Sequence, residues 1–203
     1  EELLKYSCYK KIKPNQIHSS NVVVVDKKNL DNYFKNTDGL ITNLKGVALI
    51  TSSADCQAIL LYDPVKNVIG NIHSGWKGTL NRIICKAINL MINRFNSNIK
   101  DIKVYICPSI LQKCFEVDED VANLFINNYS DIDINKYINK DNTKNKYYID
   151  TVSINIDVMI NRGIDKENIF KSNICTKCSN DKFYSHRADI ETDGRNIALI
   201  MLK

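Results

Sequence analysis

The chain has 203 residues, of which 44% are hydrophobic and 25% charged, and its formal net charge is +5 at pH 7. This size and composition predict a single globular domain over residues 1–203 with a sizeable core. The chain has no run of about 18 apolar residues, so no membrane span is predicted. The positive charge is spread along the chain, so no nucleic-acid partner is predicted, and an anionic small ligand fits the charge equally well.

The cysteines indicate a reducing compartment. There are seven, an odd number, and the N-terminal residues have neither the basic start nor the apolar stretch of a signal peptide. Both observations favour reduced thiols and a cytoplasmic location. Cys175 and Cys178 form a CxxC pair, but no second CxxC accompanies it, so a zinc ribbon is not predicted.

Apolar periodicity predicts more strands than helices. Residues 1–13 are left open between helix and strand. In chain order, strands are predicted at 22–25, 40–42, 47–51, 58–62, 68–72, 102–106, 147–150, 169–174 and 197–202. Helices are predicted near 30–34, from an N-cap at Thr79 to 95, from 118 to 125 and from 151 to 162, and residues 127–146 as a surface excursion. Because strands and helices do not alternate regularly, we expect an α+β fold, with mixed β-sheets and helices packed on the outside.

Polar residues with useful chemistry lie at the ends of two apolar runs. Asp55 and Cys56 precede the 58–62 run, and His73 follows the 68–72 run just before a glycine-containing turn. A histidine at a strand end is a common way to mount a reactive side chain, although a tight turn with a satisfied histidine explains the pattern equally well. Gln16 and His18 alternate with an apolar residue, so they line either a pocket or a polar sheet face.

Several motifs make the chain resemble a known family. They are Gln16-Ile17-His18, Ala54-Asp55-Cys56, His73-Ser74-Gly75-Trp76-Lys77-Gly78, Cys107-Pro108-Ser109-Ile110, Cys114-Phe115-Glu116-Val117, Phe183-Tyr184-Ser185-His186-Arg187 and Gly194-Arg195. This series resembles the YfiH-like family, also called the multicopper polyphenol oxidase (laccase-like) family, which includes purine nucleoside phosphorylases related to FAMIN. The resemblance implies a cytotoxic necrotizing factor/YfiH-like domain.

The resemblance also implies a metal site for zinc or copper. It carries over His73 and Cys114 as ligands, and it places Tyr148 where the family has a third histidine. A phenol has a pKa near ~10 and binds zinc far more weakly than imidazole unless it is ionised. Four alternatives stay open: ligation by Tyr148 as phenolate, a water, a contribution from His18, or a metal-free pair of Cys114 and His73.

The implied activity is that of a purine nucleoside phosphorylase and adenosine deaminase. Its partners are a purine nucleoside and phosphate, with the oligomeric state left open and a monomer allowed. Phosphorolysis needs a cationic phosphate clamp, for which Lys77 and Arg187 are candidates. Asp55 is expected to orient His73 or shuttle a proton, and Gln16 and His18 to contact the ligand.

Three other functions are considered. One is a copper-dependent polyphenol oxidase. Such an enzyme needs several copper centres, and one His–Cys–Tyr set does not provide them. Another is a hydrolase that edits peptidoglycan precursors, with Cys114 attacking an amide-linked substrate. The third is a non-catalytic binding protein.

Overall fold

The structure is a computed structural model that describes residues 10–203. Its strands are β1 (Lys10–Ile12), β2 (Val22–Val24), β3 (Gly39–Thr42), β4 (Val47–Ser53), β5 (Gln57–Asp63), β6 (Val68–Ser74), β7 (Lys103–Ile106), β8 (Glu116–Val117), β9 (Ile138–Asp141), β10 (Lys146–Ile149), β11 (Ile169–Lys171) and β12 (Asn196–Met201). Its α-helices are α1 (Trp76–Leu80), α2 (Ile83–Phe95), α3 (Glu119–Asn128) and α4 (Thr151–Arg162).

A six-stranded mixed sheet forms the centre of the fold, in the order β11-β7-β5-β6-β3-β2. Its four middle strands pair antiparallel, whereas β11 and β2 at the edges pair parallel to their neighbours. The two central strands, β5 and β6, contain the apolar runs at 58–62 and 68–72 that are predicted as strands from sequence. Asp63 fixes the turn between them, since its carboxylate accepts the backbone N–H groups of Val65 and Lys66.

The two faces of this sheet are covered differently. Because side chains alternate along a strand, Ile41 of β3 packs with the helices while its neighbour Leu40 packs on the opposite side. The helix side holds the larger core, to which α2 contributes five buried residues: Ile83, Ile84, Ala87, Ile88 and Met91. The other side is covered by a three-stranded sheet in the order β1-β4-β12. A third sheet, β8-β10-β9, is antiparallel throughout. The predicted α+β class with mixed sheets and outer helices is confirmed.

Several local predictions need correction. The helix predicted from Thr79 is two helices, because Arg82 adopts a left-handed conformation (φ 54°) between α1 and α2, and Thr79 lies inside α1. The predicted helix near 30–34 is a series of turns, and within 127–146 the chain forms β9 and begins the β9–β10 hairpin. The undecided segment 1–13 is a strand at Lys10–Ile12, and its first nine residues lie outside the described residues.

Among residues 10–203, no helix combines the length and apolar character required to cross a bilayer.

Candidate functional site: a His–Cys–His cluster in a cavity

The pairing of β5 with β6 places a cysteine beside a histidine. The antiparallel register aligns Gln57 with Ser74 and Ala58 with His73. Cys56 directly precedes Gln57, so the start of β5 brings its thiol to the end of β6, where His73 is located. The β5–β6 hairpin alone therefore brings Cys56 and His73 together.

Asp38 positions the imidazole of His73. β3 pairs antiparallel with β6 and aligns Gly39 with Ile72, so Asp38, one residue before β3, lies next to His73. The Nδ1 atom of His73 is 2.9 Å from Oδ1 of Asp38, and both side chains are almost completely buried. With Nδ1 engaged by a carboxylate, Nε2 is the ring nitrogen left for a ligand, an arrangement common for metal-binding histidines.

The same carboxylate holds the loop that carries His18. It accepts hydrogen bonds from the backbone N–H groups of Ile17, His18 and Ser19 at 3.2, 3.0 and 2.8 Å. His18 adopts a left-handed conformation (φ 61°) in this loop. Its ring centroid is 5.0 Å from that of His73, and the two rings are nearly perpendicular. Asp38 thus fixes the positions of both histidines.

His18, Cys56 and His73 form a cluster that fits a metal ion. One donor atom from each lies within 4.8 Å of the other two. His73 is buried, Cys56 is half-buried and His18 is exposed, so the cluster runs from the interior to the surface. Two imidazoles and one thiolate are typical ligands of zinc and copper, and three protein ligands leave a fourth position for a substrate or water.

The ionisation of the cluster also favours a cation. Although burial opposes ionisation of the thiol, hydrogen bonds with His18 and His73 and their positive charge lower the pKa of Cys56 to about 7. Burial acts against protonation of His73, but hydrogen bonds to Asp38 and Cys56 raise its pKa to about 9. Burial acts against ionisation of Asp38 too, and hydrogen bonds from His73, Ser19 and Ile17 nevertheless lower its pKa to about 2. The thiolate of Cys56 and the carboxylate of Asp38 therefore lie on either side of His73, and these two anionic groups favour a positive charge between them.

The cluster opens into a cavity of about 610 Å³, a size typical of small-molecule sites. Its lining comes from three parts of the chain that are distant in sequence: Gln16, His18, Ser52, Ser53, Ala54, Asp55, Cys56, Gln57, His73, Ser74, Gly75 and Trp76 from the first, Ile110, Phe115 and Thr151 from the second, and His186, Arg187 and Arg195 from the third. Aromatic rings and two guanidinium groups thus share one cavity with the His–Cys–His cluster.

Four of the residues predicted as site residues besides His73 line this cavity: Gln16, His18, Asp55 and Arg187. Gln16 uses both atoms of its amide on the backbone of Ser52, at 2.8 and 2.9 Å, and so ties the His18 loop to β4. The prediction that Asp55 orients His73 needs correction, because Asp38 occupies that role. The two carboxylate oxygens of Asp55 accept hydrogen bonds from Thr176 and from the backbone N–H of Arg187.

The predicted ligand set of His73, Cys114 and Tyr148 is not the one that the fold assembles. Cys114 clusters instead with Cys175 and Cys178. Tyr148 lies on β10, and its hydroxyl donates to Glu116 at 2.6 Å. β8 pairs with β10, and this pairing joins Tyr148 to the segment after Cys114 and not to β6.

Lys77, predicted as a phosphate clamp, is exposed and does not belong to the residues that line the cavity. Its ammonium group lies 5.5 Å from the ring centre of Trp76. Arg195 lines the cavity in its place, and the sequence patterns assign it no role.

The sequence analysis misses two residues of this site: Cys56 as a member of the His–Cys–His cluster and Asp38 as the partner of the His73 ring. The β5–β6 hairpin was the available signal for Cys56, since residues just outside the two ends of a hairpin face each other. Asp38 had only a turn signal, Thr37-Asp38-Gly39, and nothing local in it points to His73, 35 residues later.

Comparison with known proteins identifies the family of this chain. A family model described as multi-copper polyphenol oxidoreductase laccase matches residues 2–203. The chain is 34% identical over 171 residues to the purine nucleoside phosphorylase YlmD of Bacillus subtilis, a match that covers 83% of this chain and 60% of that protein. It is 30% identical over 199 residues to adenosine deaminase RL5 from an unknown prokaryotic organism, covering 95% and 75%.

A solved structure is similar throughout. The crystal structure of the hypothetical protein YfiH of Bacillus licheniformis superposes with a TM-score of 0.91 at 30% identity, covering all of this chain and 78% of that one. The chain thus spans only 60% of the length of the Bacillus subtilis relative and about three quarters of the other two.

Proposed function

The chain belongs to the multi-copper polyphenol oxidoreductase laccase family, and we propose that it is an enzyme that acts on purine nucleosides in the cavity described above. The observation that carries the proposal is the position of the His18–Cys56–His73 cluster in one cavity with two arginines. The names of its relatives, a purine nucleoside phosphorylase and an adenosine deaminase, support the same substrate class.

The cluster supplies the reactive end of the cavity. His18, Cys56 and His73 would hold a zinc or copper ion, which would supply Lewis-acid chemistry. Asp38 keeps Nε2 of His73 available and oriented, because it holds Nδ1 at 2.9 Å. Trp76 and Phe115 offer apolar ring surface on which a purine base can stack, and they limit the access of water to the base.

The arginines suit the second substrate of phosphorolysis. In that reaction an oxygen of inorganic phosphate forms a bond to the anomeric carbon of the ribose, and the bond between this carbon and the purine nitrogen breaks. The products are ribose 1-phosphate and the free base. The departing base takes up a proton, and the phosphate carries negative charge throughout. Arg187 and Arg195 both line the cavity, and guanidinium groups bind phosphate well.

Adenosine deamination uses the same cavity without phosphate. Water adds to the purine carbon that bears the amino group, and ammonia leaves as inosine forms. The nucleophile needs activation near the base, which the His–Cys–His cluster can provide. Both reactions thus depend on one cluster, and only phosphorolysis requires the arginines.

The test is turnover of adenosine and inosine with and without phosphate, with products separated by chromatography. We expect free base from inosine only when phosphate is present, and loss of this product in Cys56→Ala and His73→Ala. Cys107→Ser is the matched control, since Cys107 is also half-buried but lies outside the cluster. Retained turnover in Cys56→Ala together with its loss in Cys114→Ser would show that the proposed reactive cluster is wrong.

A specific observation favours a second candidate, a cysteine hydrolase. Cys56, His73 and Asp38 form a chain of nucleophile, base and orienting carboxylate, and His18 and His73 lower the thiol pKa to about 7. Such an enzyme would cleave an amide bond through Cys56 without any metal. Retained hydrolysis of an amide-linked peptidoglycan precursor after chelation, with no nucleoside turnover at any stage, would favour this candidate.

A further inference from the structure

A second cluster of metal-binding side chains lies outside the reactive cluster. The sulfur atoms of Cys114, Cys175 and Cys178 all lie within 4.8 Å of one another, and those of Cys114 and Cys178 are 3.3 Å apart. Cys175 is buried, Cys114 is half-buried and Cys178 is exposed. The proposed nucleoside chemistry uses none of the three.

The backbone around these cysteines is built to hold them. Cys175 pairs with Ser109 through an isolated parallel bridge, and the backbone N–H of Thr176 donates to the carbonyl of Ser109 at 3.1 Å. This bridge places the CxxC turn beside the 3-10 turn that ends at Cys114. The backbone N–H of Leu111 points at the sulfur of Cys175 at 3.5 Å, a contact that stabilises a thiolate.

We propose that Cys114, Cys175 and Cys178 bind a zinc ion as three thiolates, with the fourth position open to solvent beside the exposed Cys178. A CxxC pair completed by cysteine from a separate loop is typical of zinc sites, and thiolates select zinc and other soft cations. A disulfide between Cys114 and Cys178 is the rival explanation. Such a disulfide gives no role to the sulfur of Cys175, although the bridge between Ser109 and Cys175 brings this sulfur close to the other two.

The location of this second site suggests its purpose. It joins the segment that carries Phe115 to the segment that carries Arg187, and both residues line the cavity. The guanidinium of Arg187 lies 5.4 Å from the ring centre of Phe115 and donates to the carbonyl of Glu116 at 2.8 Å. A metal ion here clamps two walls of the cavity together at a point outside the reactive cluster.

The test is the zinc content of the full protein, measured by mass spectrometry after loading with Zn²⁺ under reducing conditions and desalting. We expect two zinc ions per chain in the wild type. Cys114→Ser and Cys178→Ser are each expected to lose one, as is Cys56→Ala, whereas Cys107→Ser keeps both. Wild-type zinc content in both Cys114→Ser and Cys178→Ser would overturn the proposal.

A second measurement needs no substitution in the new site and so does not depend on how those variants fold. In Cys56→Ala, which has lost a ligand of the reactive cluster, the remaining zinc is expected to show three sulfur neighbours at about 2.3 Å by X-ray absorption. A nitrogen- and oxygen-dominated shell would overturn the proposal. A disulfide between Cys114 and Cys178 in protein kept reduced, found by peptide mapping, would overturn it too.

Discussion

Asp38 and His73 are joined twice. The backbone N–H of His73 donates to the carbonyl of Asp38 at 2.7 Å, and the Nδ1 atom of its ring lies 2.9 Å from the Asp38 carboxylate. The first bond belongs to the pairing of β3 with β6, and the second fixes the ring on that frame. Since the carboxylate also accepts the backbone N–H of His18, one buried side chain sets the geometry of both histidines.

Asp38→Asn is expected to weaken both the metal site and the fold. The amide keeps the shape of the carboxylate but loses its charge and one acceptor oxygen, so His73 and the His18 loop are held less firmly. We expect zinc affinity to fall roughly 10- to 100-fold and unfolding free energy by on the order of 3 kcal/mol. Competition with a chelator measures the zinc affinity, and urea unfolding measures the unfolding free energy. Asp31→Asn is the control, because Asp31 makes an exposed ion pair with Lys10, and equal zinc affinities in the two variants would contradict the role given to Asp38.

Gly75→Ala is expected to disturb the reactive cluster by steric contact alone. A Cβ atom at Gly75 would lie 2.9 Å from Cδ2 of His18 and 3.1 Å from the sulfur of Cys56. The backbone of Gly75 (φ −73°, ψ 179°) suits any residue, so no backbone strain is added. We expect zinc affinity to fall roughly tenfold or more, since ligands shifted by a few tenths of an ångström fit the ion poorly.

The control for Gly75→Ala is Gly78→Ala. A Cβ atom at Gly78 would meet its nearest neighbours at 3.4 to 3.5 Å, which is ordinary contact. Isothermal titration with Zn²⁺ compares the two variants. Wild-type affinity in Gly75→Ala would show that His18 and Cys56 have room to move, and that their positions are not fixed by this turn.

Arg187→Ala is expected to impair the use of phosphate. If Arg187 binds phosphate in phosphorolysis, loss of one charged hydrogen-bonding group costs about 1.5–3 kcal/mol, which raises the KM for phosphate roughly 10- to 100-fold. The KM for the nucleoside should change little. Lys77→Ala is the control, because Lys77 is exposed and lies outside the cavity lining. Steady-state kinetics with phosphate varied gives the answer, and a larger effect from Lys77→Ala would restore the clamp predicted from sequence.

Asn71→Ala is expected to loosen the packing of the six-stranded sheet against the β1-β4-β12 sheet. The amide of Asn71 is fully buried and donates to the carbonyls of Leu49 and Ala198 on the covering sheet, while its oxygen accepts from Thr51. Removal of the amide deletes these three hydrogen bonds between the sheets, so we expect a loss of about 2–4 kcal/mol in unfolding free energy. Thermal and urea unfolding measure it, with the exposed Asn81→Ala as control, expected to stay within about 0.5 kcal/mol. A similar small loss in Asn71→Ala would contradict this account.

Much of the framework was predictable from sequence because it depends on local patterns. The β5–β6 hairpin follows from two apolar runs around a turn, and α4 follows from helical spacing that ends at Gly163, which adopts φ 111°. The family motifs likewise marked His18, His73 and Arg187 as site residues. The predicted helix from Thr79 was wrong at two points. It begins earlier, at Trp76, and it is broken at the left-handed Arg82, since helical periodicity continues across a break of two residues.

Tertiary structure decided which residues form the His–Cys–His cluster. His73 and Cys56 meet through the register of a hairpin, but His18 and Asp38 reach them only because β3 lies between β2 and β6 in the sheet. Cys114 is drawn away to Cys175 and Cys178 by a bridge between Ser109 and Cys175. Periodicity and turn residues record which side chains share a face within one segment. They do not record the order of strands in a sheet, and that order determines which segment ends meet.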